Sequence, residues 1–153
     1  MTTTIAPKLT TGHVGLNVSD LQRSADFYRR ALGFEELAVS SDDAKRWAFL
    51  GIGDALLLTL WQQSSGEFST RTPGLHHLSF EVDSVEQVHA VESALRALGV
   101  DFAHEGLVAH GEGLASGGIF FTDPDGIRLE VYATTGAESA PAPHGEAPTC
   151  GFF

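Results

Sequence analysis

The chain has 153 residues, 42% hydrophobic and 19% charged. That balance is ordinary for one compact globular domain, which at this length buries roughly two-thirds of its unfolded surface. A formal net charge of −11 with only nine Lys and Arg excludes a nucleic-acid surface and leaves a solvated acidic exterior or a cationic ligand.

The single cysteine, Cys150, forms no internal disulfide. The first residues hold no apolar core of signal-peptide length, and no run approaches a membrane span. The expectation is a cytoplasmic protein that works on a small molecule, with neither nucleic acid nor membrane as partner.

After a polar leader, residues 12–18 alternate, with Val14, Leu16 and Val18 on one face and His13, Gly15 and Asn17 on the other. Ser19 or Asp20 caps a helix whose apolar positions are Leu21, Ala25, Tyr28, Ala31 and Leu32, and Gly33 stops it. Strands are predicted over 35–40, 46–50 and 54–61, with a turn at Gly51-Ile52-Gly53-Asp54. The first module, residues 10–62, is therefore βαβββ, and polar residues 63–74 link it to a second.

The second module, residues 75–133, repeats the plan. A strand at 76–82 precedes Ser84-Val85-Glu86-Gln87, a capping-box spacing that opens a helix through Val88, Val91, Leu95 and Leu98, ended by Gly99. Strands follow near 100–104, 118–122 and 127–132, with a turn at Asp123-Pro124-Asp125-Gly126. The fold class is α+β: two βαβββ modules whose sheets form half-barrels around a metal-binding cavity, the halves pairing within one chain or between chains. Residues 134–153 have the Ala/Pro/Gly composition of a disordered tail, yet Phe152 and Phe153 are expected to dock near the cavity or on a partner subunit.

Pleating selects the chemistry. If Leu78, Phe80 and Val82 face the helix, then His77 rather than His76 joins Ser79 and Glu81 on the cavity side, in the register that His13 holds in the first module. In the last strand Ile127, Leu129 and Val131 take the helix side, which turns Arg128, Glu130 and Tyr132 to the cavity. His13, His77 and Glu130 thus form a candidate facial triad for one divalent ion with open positions. His77 and Glu81 lie about 13 Å apart along a strand and do not chelate together. No Ser-His-Asp set falls into register, and Gly111-Glu112-Gly113 is too short for a phosphate loop.

The stretches HVGLNVSDLQRSADFYRRALGF, HHLSFEVDS and FFTDPDGIRLEVY, within residues 10–134, resemble the vicinal oxygen chelate superfamily. That group includes glyoxalase I, extradiol dioxygenases, fosfomycin-resistance transferases, methylmalonyl-CoA epimerases and bleomycin-resistance proteins. The resemblance implies paired βαβββ modules, a metal such as Fe(II), Mn(II), Zn(II), Ni(II) or Co(II) on His13, His77 and Glu130, and catalysis by bidentate oxygen chelation. It also implies a homodimer, in which His13 meets His77 and Glu130 across the interface where each cavity is completed by the neighbouring chain, or within one chain where the cavity is self-contained.

Glyoxalase I takes a fourth protein ligand from the last strand of its first module. Leu58 occupies that position here, which disfavours glyoxalase I itself and implies an apolar pocket wall with Trp61. Around a phosphonate, this chain would offer His110, Leu114 and Phe120, a poor setting for an anion. Against the extradiol dioxygenases, the three-ligand plan matches, Phe120 stands where a tyrosine would be, and His110 is the candidate for proton transfer. The expectation is a metal-dependent oxidoreductase, lyase or isomerase, most like a dioxygenase. The alternative is a metal-free, bleomycin-resistance-like protein that sequesters a cationic antibiotic.

Overall fold

The computed structural model describes residues 6–153; residues 1–5 of the polar leader, and with them part of the stretch read for a signal peptide, lie outside it. The first module runs β1 (Val14–Asn17), α1 (Leu21–Leu32), β2 (Glu35–Val39), β3 (Trp47–Ile52) and β4 (Ala55–Trp61). The second runs β5 (Leu78–Glu81), α2 (Val85–Ala97), β6 (Val108–Ala109), β7 (Gly117–Thr122) and β8 (Arg128–Ala133). Each module forms one four-stranded mixed sheet, ordered β1-β4-β3-β2 and β5-β8-β7-β6, and neither closes into a barrel. In both, the strand before the helix pairs in parallel with the last strand, as a βαβββ repeat requires.

Local chemistry explains the helices. Asp20 accepts the Arg23 N–H, and Gly33 at φ 71° ends α1 by donating to the Arg29 carbonyl. Ser84 accepts the Gln87 N–H to open α2, while the Gln87 amide oxygen accepts from Asp83 N–H at 3.0 Å.

The predicted strand over 100–104 is replaced. Among the described residues, the backbone of that segment is joined to β7 by one bridge, Phe102 to Phe121, and by the Ala103 N–H donated to Phe120. It then turns at Gly106, whose φ is +66°, so edge pairing with β7 begins at Val108 and Ala109.

Each helix covers the inner face of its own sheet, and the helices pack on each other. One core results, combining Leu16, Tyr28, Leu50, Leu58 and Leu60 of the first module with Ile119, Phe121, Leu129 and Val131 of the second. Aromatic contacts cross the seam, Phe34 edge-on to Phe80 at 5.4 Å and Phe27 near Phe121 at 6.5 Å. A buried polar seam joins them: Asp125 accepts from the backbone N–H and hydroxyl of Ser19 and from Arg23. The side chains that alternate with these core residues form the outer face of each sheet. Among the described residues, no helix is long and apolar enough to cross a membrane.

Candidate metal centre on the second sheet

Register fixes the outer face of the second sheet. Ser79, Glu130 and Phe120 are cross-strand neighbours, as are Glu81, Tyr132 and Gly118. Their chain neighbours Phe80, Val131, Ile119 and Phe121 turn into the core or pack against it. Glu130 is only 3% exposed, so its charge is almost wholly dependent on the groups around it.

Two imidazoles answer that charge. His77, just ahead of β5, places Nε2 3.4 Å from Glu130 Oε2, and His110, just past β6, brings Nε2 into direct hydrogen bond with Oε1. A carboxylate only accepts, so His110 Nε2 holds the proton of that bond; in the neutral ring, Nδ1 then accepts the Ser116 hydroxyl at 2.9 Å. Ser116 therefore orients His110, a role invisible in the sequence because it depends on the loop before β7 folding back.

A second chain of contacts orients His77. Arg128 Nη1 donates to His76 Nε2 at 3.3 Å, which leaves His76 Nδ1 to donate to His77 Nδ1 at 2.8 Å. Burial of the His77 ring, reinforced by His76 and Arg128, outweighs the pull of Glu130 and holds its pKa below the ordinary 6.5. Near neutral pH the ring is uncharged, and with Nδ1 accepting from His76 its proton stands on Nε2, facing Glu130; a metal bound through Nε2 would require that proton to leave Nε2.

His77 and Glu130 fit a metal. Two donors each about 2.1 Å from one ion stand about 3.0–3.4 Å apart, which matches the His77–Glu130 separation. Neutral imidazole with carboxylate suits Fe, Mn or Zn. Among the described residues, no group of three His, Cys, Asp or Glu is arranged around a common point within the chain. His13 is exposed, one residue ahead of β1, and forms no such group with His77 and Glu130. The single chain thus joins His77, Glu130 and His110 and leaves His13 apart.

The expected pocket residues divide. Phe120 lies on the outer face of the second sheet, edge-on to His104 at 5.6 Å and His110 at 6.3 Å. Trp61 lies on the outer face of the first sheet with Trp47 and Phe49, its indole N–H donated to Thr59 at 2.9 Å. Leu58 belongs to the core rather than to a pocket wall: it pairs with Val14 and Leu50, shares their helix side and is fully buried. On β4 the outward positions are Thr59 and Trp61. A cavity of about 480 Å³ lies elsewhere, between α1 and the turn at Asp123 and Pro124, and holds none of these donors.

Three further groups complete the face. Tyr132 donates its hydroxyl to Glu81 at 3.0 Å, a bond that, with burial, raises the phenol pKa and keeps it protonated. Cys150 is a free thiol whose pKa is pushed up by burial and by the Glu130 charge. Phe153 sets its ring 5.0 Å from Phe120 and 5.5 Å from His77.

Comparison with known proteins agrees with this architecture. The family model for the Glyoxalase/Bleomycin resistance protein/Dioxygenase superfamily matches residues 10–131. The trivalent organoarsenical cleaving enzyme of Bacillus sp. (strain MD1) is 31% identical over 140 residues, 90% of this chain and 80% of that one. The lactoylglutathione lyase of Escherichia coli O157:H7 is 30% identical over 125 residues, 78% of this chain and 88% of that one. Among solved structures, a glyoxylase/bleomycin resistance protein/dioxygenase domain from Frankia sp. EAN1pec superposes with TM-score 0.70 at 27% identity, covering 84% of this chain and 99% of that one.

Proposed function

The chain belongs to the Glyoxalase/Bleomycin resistance protein/Dioxygenase superfamily, and on that premise we propose that it is a divalent-metal-dependent enzyme acting on a small substrate with vicinal oxygens, most like a dioxygenase. His77 and Glu130 of one chain, with His13 of a second copy, would hold Fe(II), Mn(II) or a similar ion. The bound ion supplies Lewis-acid or oxygen-activating chemistry, with positions left open for substrate. The observation that carries this reading is a nearly buried Glu130 with one imidazole 3.4 Å from an oxygen and a second hydrogen-bonded to the other.

The protein's own groups have distinct parts. Arg128 and His76 hold the His77 ring in place, and Ser116 and Glu130 hold His110. His110 is the group that moves a proton, because its Nε2 proton lies beside the carboxylate and Ser116 steadies the far side of the ring. Phe120 limits water on one side of the face, and Trp61 with Trp47 and Phe49 would do so from the second copy. The homodimer is supported by the separation of His13 from His77 within one chain.

Purification without chelator followed by metal analysis tests the proposal, with about one ion per chain expected and lost in His77→Ala and His13→Ala. Anaerobic iron reconstitution and oxygen-consumption screening against catechols and other vicinal diols then test the reaction class. The net charge of −11 favours a second reading, sequestration of a cationic drug. Protein that stays metal-free and binds such a drug would replace the first reading by the second.

A further inference from the structure

Residues 134–153 return across the second module instead of leaving it. Ala137 is buried, donates its N–H to the Ala115 carbonyl at 2.9 Å, and lies so close to Gly117 that a Cβ there would stand 2.6 Å from the Ala137 methyl. Ala109 N–H donates to Pro141 at 2.8 Å and Glu112 N–H to Gly145 at 2.9 Å. Thr149 then donates twice, its N–H to the His110 carbonyl at 2.9 Å and its fully buried hydroxyl to the Ala109 carbonyl at 2.6 Å. The segment thereby follows the edge of β6 into the loop that bears His110.

Beyond this anchor the chain crosses the face itself. The Phe153 ring stands edge-on to His77, at 6.3 Å from His76, against Phe120, and 5.4 Å beneath the Arg128 guanidinium. Two of them, His77 and Phe120, are direct neighbours of Glu130. An aromatic ring held by aromatic edges and a guanidinium is a reversible contact, since it forms no hydrogen bond and leaves Phe153 partly exposed.

We propose that residues 141–153 form a strap over the outer face of the second sheet, with Phe153 as a plug that must leave before a ligand or a second copy of this chain reaches His77 and Glu130. The assignment of His77 and Glu130 as the binding centre is the reading given above; the strap is tested apart from it. Thr149 is the last fixed point and Phe153 the releasable contact. Opening exposes Cys150, the chain's only thiol, which makes labelling of the whole protein a direct measure of the strap.

The experiment labels native protein with a chromogenic disulfide and, separately, modifies histidines with diethyl pyrocarbonate, reading His77 by peptide mass spectrometry. Phe153→Ala is expected to raise both the Cys150 rate and the His77 rate about tenfold, the scale of losing one well-packed aromatic contact. Thr149→Val, which removes the anchoring hydroxyl, is expected to do the same by freeing that point. Wild-type rates at His77 in both variants would overturn the strap, as would faster Cys150 labelling with His77 unchanged, which marks a merely local loosening. Fast labelling at both sites in protein that never retains a metal would uphold the strap while removing the metalloenzyme reading.

Discussion

The hydroxyl of Tyr28, on the helix of the first module, donates to the Asp123 carboxylate of the second across 2.9 Å with the phenol wholly buried. The other Asp123 oxygen accepts the backbone N–H groups of Asp125 and Ile127, so the carboxylate ties the turn before β8 to α1. Burial raises the Asp123 pKa despite these donors, and burial with the Asp123 charge raises that of Tyr28. Tyr28→Phe keeps the ring but leaves one buried carboxylate oxygen without its donor. A loss of about 1–3 kcal/mol in urea unfolding is expected; an unchanged midpoint would mean the bond adds nothing to folding.

Asp125 is the second tie, and its two sides differ in exposure. Asp125→Ala strands the Ser19 N–H and hydroxyl in a part-buried seam and should cost about 2–3 kcal/mol. Arg23 is 49% exposed, so Arg23→Ala should cost under about 1 kcal/mol. Equal losses in thermal unfolding would contradict this ordering.

Gly118 shapes the outer face of the second sheet through absence of a side chain. A Cβ there would lie 2.8 Å from the Tyr132 Cβ and against the Val131 carbonyl, both on the neighbouring strand β8. Gly118→Ala should therefore destabilise by about 1–3 kcal/mol and push Tyr132 away from Glu81. The displacement would appear as a fall in the tyrosine pKa in ultraviolet titration, because the Glu81 bond is the largest cause of its elevation.

His104 packs edge-on to Phe120 with His144 nearby, and burial first, then His144, holds its pKa below 6.5. The unfolded chain therefore takes up the proton before the folded one does. Its contribution to stability is complete above about pH 6.5 and is lost as pH falls through the lowered folded value. Relative to His104→Gln, the wild type should lose unfolding free energy between about pH 7.5 and pH 5. A difference independent of pH would show that His104 titrates as it does in the unfolded chain.

Much of the scaffold was legible because it is written in short-range chemistry. Asp20 and Ser84 open the helices, Gly33 and Gly99 take positive φ at their ends, and period-two alternation separated His77 from Leu78 and Glu130 from Leu129. Alternation says which side of a sheet a residue takes but not how far the neighbouring loops reach. The direct bond from His110 to Glu130, and Ser116 behind it, depends on a loop returning over the sheet and left no periodic trace. For Leu58 the family position implies a pocket wall, whereas its register with Val14 and Leu50 puts it among the core leucines. The tail was composed like a disordered segment, and what orders it is a handful of backbone bonds and one threonine.

The placement of the tryptophans also decides what light can report. Both tryptophans, Trp47 and Trp61, stand together on the outer face of the first module, and the second module has none. Indole emission therefore has no reporter on the sheet next to His77. On the proposed pairing of two copies, a change in that emission when ligand is added is expected to register the other chain's tryptophans coming up to the occupied face, so one cuvette measurement would distinguish binding to one chain from completion of the site by a second.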